Sequence, residues 1–197
     1  MVLTILVTIL ACLGSVCVAT HDGSQPNTKV ASKFQSASLI NDLKLPAAPQ
    51  HKVSVEYADD IKVTLGNELK PSQTKTQPAS VTWPTTNGAL YTVAVVDPDA
   101  PTRANPSKAE WKHWLVVNVP GLDLSRGKTL ATYMGPAPPA GTGLHRYVFL
   151  VYKQPGQINP TEQSTDRAKF KITEFAAKYK LGNPIAGNFF NAQNEGK

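Results

Sequence analysis

Three short segments of this chain combine charged side chains with stiff backbone in a way that suits the binding of a small anion. The first, residues 97–103, reads DPDAPTR and follows an apolar run directly. Its two prolines hold the carboxylates on a rigid loop, as a binding site requires. An Asp-Pro pair alone is typical of an ordinary turn, but two carboxylates and an arginine within seven residues favour a functional loop.

The second segment, residues 110–114, reads EWKHW and opens another apolar run. Strand alternation would place Trp111 and His113 on one face, and Lys112 and Trp114 on the other. An indole beside an imidazole suits a half-apolar pocket with one polar anchor. Taken alone, such a histidine would be interpreted as structural.

The third segment, residues 135–147, reads GPAPPAGTGLHRY. Its glycines and prolines lead to a strand on which His145 and Tyr147 share one face. Arg146 points to the opposite face, where it could pair with a carboxylate such as Asp99. The run at residues 141–143 lacks a third glycine and precedes a strand, which excludes a dinucleotide-binding loop.

Phosphate-like anions need hydrogen-bond donors and local positive charge. Two protonated imidazoles, His113 and His145, would provide both. Asp97 should hold one ring in orientation and favour its charged form. We therefore predict that anion binding strengthens as the pH falls through the histidine pKa range.

In order and spacing, the three segments resemble the signature of the phosphatidylethanolamine-binding protein family, over about residues 52–190. The resemblance implies one mainly β sandwich domain, with a large central antiparallel sheet, a smaller sheet and a few peripheral helices. It also implies a small surface pocket for phosphate, phosphoryl headgroups or acetate-like anions. The ligand-binding residues would be Asp97, Ala100, Pro101, Trp111, His113, Gly135, Pro138, Pro139, His145 and Tyr147.

The chain also departs from this family pattern. Lys108 stands where many members have an aromatic side chain at the pocket rim, and Ala137 replaces the usual second glycine of that loop. Animal cytosolic members continue into a C-terminal helix that partly covers the pocket, whereas this sequence stops at Lys197. We therefore expect a more open pocket.

Apolar, β-branched runs predict the strands that must hold these loops. The long ones cover residues 90–96, 114–119 and 147–152, and shorter ones cover 53–57, 63–65 and 81–83. Two helices are predicted, one over residues 38–45 and one on an apolar stripe between Ala168 and Tyr179.

The N-terminal residues 1–19 contain no charged side chain and end in a small-x-small pattern, which predicts a secretory signal peptide and an extracellular protein. The alternatives are a buried helix or a membrane anchor. Both cysteines, Cys12 and Cys17, lie in this stretch. The predicted organisation is a signal peptide over 1–19, an N-terminal arm over 20–37 and one domain over 38–197.

A net charge of +6 on scattered lysines favours weak attraction to anionic surfaces, with at most peripheral membrane contact and no nucleic-acid partner. Two histidines and an aspartate could ligate iron or zinc, but no catalytic motif accompanies them, so we predict no metal, no cofactor and no enzyme activity. The predicted function is a secreted binding protein for phosphoryl-headgroup lipids or small anionic or amphiphilic ligands, including odorant-like ones. The alternative is an inhibitor of serine proteases or carboxypeptidases, whose partner would be a protease.

Overall fold

A computed structural model describes residues 28–161 and 166–196 of the chain. Within these residues the helices are α1 (Thr28–Ser36), α2 (Leu39–Asp42) and α3 (Ile172–Lys178), with short 3-10 turns at Pro71–Thr74 and Leu124–Arg126. The strands are β1 (His51–Lys52), β2 (Ser54–Glu56), β3 (Asn67–Glu68), β4 (Ser80–Thr82), β5 (Leu90–Asp97), β6 (Trp111–Pro120), β7 (Lys128–Ala131), β8 (His145–Lys153) and β9 (Ala186–Ala192).

One large sheet organises the described residues, with the strand order β1-β9-β8-β5-β6-β7 and with β3 also paired to β9. The run from β9 to β7 is antiparallel, whereas β1 and β3 join β9 in parallel, so the sheet is mixed. A second, two-stranded sheet pairs β2 with β4. The expected mainly β sandwich is thereby confirmed, as are the long strands β5, β6 and β8.

Each face of the large sheet covers its own apolar core. Side chains alternate along β8, so that Leu150 packs in the core under the helices and Phe149 packs in the core under the small sheet. Neither face of the central strands is solvated, which explains why β5 and β8 read as nearly continuous apolar runs. The ends of these central strands are therefore held rigidly from both sides.

Helix α1 lies within residues 20–37, the predicted N-terminal arm. Its Val30 and Phe34 are fully buried, and the Phe34 ring meets Phe189 edge-on with 5.5 Å between centroids. The sequence signal was weak because these two residues, one turn apart, are its only large apolar side chains. The folded domain therefore already includes Thr28. The predicted signal peptide lies outside the described residues.

Other local predictions differ from the structure. Residues 63–65 form no strand, although Val63 and Leu65 are buried. Ala168 precedes α3, because residues 167–170 hydrogen-bond along the start of β6 instead of coiling. Strands β7 and β9 were not predicted. The sequence of β9, AGNFFNA, interrupts its apolar residues with a glycine and two asparagines.

Candidate functional site

The three polar segments meet at one edge of the large sheet. Strand β5 is antiparallel to both of its neighbours, so its last residue, Asp97, lies beside the first residues of β6 and β8. Asp97 pairs with Trp111 in register, and its carboxylate reaches His145 at the start of β8. Sheet topology therefore brings Asp97 together with His145, which is 48 positions away in the sequence.

A bulge in β6 decides which way His113 faces. Val95 pairs with Trp114 and Val96 pairs with Lys112, which leaves His113 as the extra residue between them. Trp111 and His113 both line the cavity at this edge, as predicted. The prediction that Lys112 and Trp114 share a face is wrong.

The bulge is the reason for that error. Lys112 lies over the Phe170 ring beside the helix-covered core, whereas Trp114 belongs to the core under the small sheet. Simple alternation cannot anticipate an inserted residue, since a bulge moves every later side chain to the other face.

A cavity of about 170 Å³ opens where these residues meet. That volume is several times the roughly 30 Å³ that one water molecule occupies in the liquid. Nine of the ten predicted binding residues line it: Asp97, Ala100, Pro101, Trp111, His113, Pro138, Pro139, His145 and Tyr147. Lys108, Met134 and Ala137 complete the lining. Lys108 and Ala137 stand out in the sequence only as departures from the family pattern, and Met134 carries no signal there.

Gly135, the tenth predicted residue, lies outside the lining. A Cβ at this position would stand 2.7 Å from the carbonyl oxygen of Lys75 and 2.9 Å from that of Thr74. Glycine is therefore needed for close backbone packing behind the loop, and its contribution to the pocket is indirect.

His145 is held at both ring nitrogens. Its Nδ1 lies 2.8 Å from Oδ2 of Asp97, and its Nε2 lies 3.0 Å from Oγ1 of Thr142. The Thr142 hydroxyl also lies 2.8 Å from the carbonyl of Pro139, and when it donates there it can accept from His145. With the Asp97 carboxylate accepting at Nδ1, this arrangement suits a ring that carries a proton on both nitrogens.

The electrostatic surroundings of His145 agree with this hydrogen-bond pattern. Burial alone would lower its pKa, but the hydrogen bond to Asp97 and the charges of Asp97 and Asp99 outweigh burial and raise the pKa. Asp97 is itself fixed, because its Oδ1 accepts from the backbone N–H of Asp99 at 2.7 Å. The predicted role of Asp97, to orient a ring and favour its charge, matches this arrangement.

His113 has the opposite character. Its Nδ1 donates to the carbonyl of Met134 at 2.7 Å, and its ring meets Tyr147 edge-on with 5.0 Å between centroids. Burial lowers the pKa of His113, more than the Met134 carbonyl and Asp97 raise it. The expectation that both imidazoles are charged is therefore not met. In the neutral ring, Nε2 is an acceptor.

The predicted pairing of Arg146 with Asp99 is confirmed on the opposite face of β8. The guanidinium donates from Nε to Oδ2 at 2.9 Å and from Nη2 to Oδ1 at 2.6 Å. Nη2 also meets Asp42 at 2.7 Å, and Nη1 donates to the carbonyl of Ala37. This buried fork ties the loop after β5 to β8 and to the α1–α2 corner, which keeps the pocket loop in place.

Donors remain available around the cavity. No hydrogen bond within the described residues engages the Tyr147 hydroxyl, the Ala137 N–H or the Lys108 ammonium, although all three residues line the cavity. Burial, followed by the charges of Asp97 and Asp99, raises the pKa of Tyr147, so its phenol stays protonated. Ala137 supplies the one N–H of residues 136–139, since its neighbours there are prolines.

The part of the chain that the structure describes contains no set of side chains arranged as metal ligands. No group of three histidine, cysteine, aspartate or glutamate side chains is arranged to hold a metal ion there. Both carboxylate oxygens of Asp97 are instead engaged in hydrogen bonds, one with His145 and one with the N–H of Asp99.

The chain matches the family model described as phosphatidylethanolamine-binding protein over residues 58–190. That match covers more than half of the chain and contains every residue of the cavity lining. The chain belongs to the phosphatidylethanolamine-binding protein family.

Individual relatives agree with this membership. A 26 kDa secreted antigen of Toxocara canis is 42% identical over 166 residues, which are 81% of this chain and 63% of that protein. The chain thus spans less than two thirds of that relative. The solution structure of CG7054 is 46% identical, with a TM-score of 0.62, over 75% of this chain and 87% of the other.

A crystal structure of carboxypeptidase Y inhibitor complexed with its cognate proteinase is also similar. It is 25% identical to this chain, with a TM-score of 0.76, and the match covers 85% of this chain and 96% of the inhibitor. Among the described residues of the present chain, no helix is both long and apolar enough to cross a membrane.

Proposed function

We propose that this protein is a secreted, non-enzymatic binding protein for ligands that carry a phosphoryl group, such as lipid headgroups or small anionic amphiphiles. One observation carries the proposal: a buried His145–Asp97 pair, in which the carboxylate raises the pKa of the imidazole, lies behind a small cavity whose lining still offers unused hydrogen-bond donors. An oxyanion site needs a fixed positive charge and preorganised hydrogen-bond donors in a partly apolar cavity.

The arrangement assigns distinct roles to the lining residues. The phosphoryl oxygens would accept from the Tyr147 hydroxyl and the Ala137 N–H, while the charge of His145 stabilises them from behind. His145 would act through its field, because both of its N–H groups are already bound. Neutral His113 would accept a hydrogen bond at Nε2 from a ligand hydroxyl or from a water molecule beside the phosphoryl group.

Secretion is supported by two independent observations. The relative from Toxocara canis is named a secreted antigen, and residues 1–19 of this chain have the composition of a signal peptide. The names antigen and inhibitor among the relatives also support a non-enzymatic role. Contact with a membrane would then be peripheral, made through a headgroup in the cavity.

Calorimetric titration of the purified protein with phosphorylethanolamine and with inorganic phosphate tests the proposal. Wild type should bind at least one of them saturably with one site, and His145→Ala should lose the binding. Tyr147→Phe should weaken it by about tenfold to a hundredfold through the loss of one hydrogen bond to a charged group. Urea unfolding of both variants separates lost binding from lost folding, and a wild type that binds neither ligand would refute the proposal.

Protease inhibition is a second candidate, favoured by the likeness to an inhibitor that was crystallised with its cognate proteinase. The partner would be a serine carboxypeptidase or serine protease that recognises the protein surface. An inhibition assay against carboxypeptidase Y and a panel of serine proteases tests it. A nanomolar inhibition constant that survives His145→Ala would favour inhibition and make the anion cavity secondary.

A further inference from the structure

Lys108 places a cation at the rim of the cavity. Its backbone is anchored on both sides, because its N–H donates to the carbonyl of Ala100 at 3.0 Å and its carbonyl accepts from the N–H of Lys169 at 3.0 Å. The side chain is exposed and lines the cavity, and no described residue forms an ion pair with its ammonium. The backbone of Lys108 is therefore fixed at the entrance of the cavity, and its ammonium moves about this fixed point.

The other charges of the lining compensate one another. Asp97 and His145 lie 2.8 Å apart, and protonated His145 compensates the carboxylate that raises its pKa, while burial lowers the pKa of His113. Lys108 consequently gives the lining one uncompensated positive charge. An anion carrying two negative charges gains more from this field than an anion carrying one.

The shape of the cavity separates a deep end from a rim. Asp97, His145 and Tyr147 are buried, whereas Lys108 and Met134 are exposed and Trp111 is half-buried. A phosphoryl group at the deep end would therefore direct its substituent past Lys108. An ammonium on that substituent meets a like charge, while an aliphatic substituent meets the Trp111 ring and the Met134 side chain.

We infer that Lys108 makes the pocket selective for doubly charged phosphate monoesters with an uncharged aliphatic substituent, and that it disfavours zwitterionic headgroups that carry an ammonium. This inference rests on the proposed function of the same cavity. The chemistry is shared by a phosphomonoester lipid headgroup and by a soluble alkyl phosphate.

Propyl phosphate and phosphorylethanolamine form a matched pair of probes, since they differ by a methyl group in place of an ammonium. Titrated at pH 7.5, the wild-type protein should bind propyl phosphate about fivefold more tightly, the effect of one unit charge roughly 4 Å away in water. Lys108→Gln should abolish this preference. Lys52→Gln removes the same charge from exposed Lys52, whose partner Gly187 lies at the other end of β9 from the cavity, and should preserve the preference.

The outcomes separate this inference from the function on which it rests. If the wild type binds both probes equally, or if Lys108→Gln retains the preference, the inference is overturned while the anion site stands. If neither probe binds to the wild type, the anion site itself is refuted. Loss of the preference in Lys52→Gln would show that overall charge, and not Lys108, sets the selectivity.

Vesicles distinguish the two sources of the ligand. Cosedimentation with phosphatidylcholine vesicles containing phosphatidic acid, displaced by propyl phosphate and weakened in Lys108→Gln, would assign the site to a lipid headgroup. Tight binding of propyl phosphate with no cosedimentation would assign it to a soluble phosphate monoester. Cosedimentation that propyl phosphate leaves intact would place lipid contact outside the cavity and overturn the lipid assignment.

Discussion

At the scale of single residues, the cavity depends on two histidines with opposite protonation. Asp97 raises the pKa of the His145 imidazole, while burial lowers the pKa of His113 in spite of its hydrogen bond to the Met134 carbonyl. The sequence suggested both imidazoles as donors, because residue type alone carries no information on burial. The hydrogen-bond partners, which only the fold provides, assign the charge to one of them.

Anion affinity should therefore fall as the pH rises through the raised pKa of His145, above its ordinary value of 6.5. The groups facing His145 are Asp97, Asp99 and His113, and His113 adds no charge near neutral pH because its pKa is lowered. Sulfate, which stays doubly charged from pH 6 to 10, isolates the protein's own titration. A calorimetric pH series should show this decline in wild type and a flat, weaker profile in His145→Gln. Equal sulfate affinity in wild type at pH 6 and pH 10 would contradict the assignment.

Glu110 is a second buried titratable residue, next to the cavity but outside its lining. Burial raises its pKa from 4.5 to about 7, although Oε2 accepts from the N–H of Ile172 and Lys171 lies near. The unfolded chain releases this proton at a lower pH than the folded chain does. Stability from Glu110 is therefore present below about pH 4.5 and is lost as the pH rises to about 7.

Glu110→Gln should remove this loss while retaining an acceptor for Ile172. Wild type should lose about 3 kcal/mol relative to the variant between pH 4.5 and pH 8, since each pKa unit corresponds to about 1.4 kcal/mol. Urea unfolding of both proteins at the two pH values measures the difference. If wild type and variant have parallel stability profiles, the Glu110 carboxyl is ionised in the folded protein throughout this range.

At the scale of elements, three strand ends position the cavity, and the Arg146 fork joins them to the helices. The pairing of Arg146 with Asp99 was predictable because strand alternation put Arg146 opposite His145 and Tyr147. The contacts to Ala37 and Asp42 were not, because they join parts of the chain more than 100 residues apart. The β6 bulge was equally hidden, since nothing in EWKHW marks His113 as the inserted residue.

Arg146→Ala should lower the free energy of unfolding by about 3–5 kcal/mol, because it leaves the Asp99 carboxylate buried and unpaired. Arg146→Lys should recover only part of this, since an ammonium cannot form the two-pronged contact. Arg126→Ala removes an exposed guanidinium and should stay within about 0.5 kcal/mol of wild type. Chemical denaturation of the three variants would contradict the account if Arg146→Ala and Arg126→Ala were equivalent.

At the scale of the whole molecule, the fold could be predicted and the extent of the domain could not. Long apolar strands and the family signature indicated the sandwich. Nine of the ten binding residues predicted from the signature line one cavity. Helix α1 escaped prediction because a nine-residue segment with two large apolar side chains has little amphipathic signal of its own. Its place is decided by the surface it covers, which includes Phe189 of β9.

Phe34→Ala should therefore destabilise the whole domain by about 3–5 kcal/mol, as expected for removing a fully buried ring from a packed core. Gln35→Ala changes the exposed neighbour on the same helix and should have little effect. Thermal and urea unfolding compare the two. A Phe34→Ala protein as stable as wild type would mean that residues 28–36 do not belong to the cooperative core.

The central claim is that the cavity at the ends of β5, β6 and β8 binds a phosphoryl group, and an amide NMR titration with propyl phosphate tests it most directly. The account predicts saturable shifts that are largest at Ala137, with smaller shifts at Thr142 beside His145, and that weaken in His145→Gln. Shifts clustered elsewhere on the sandwich, or no saturable shift in the wild type, would contradict it.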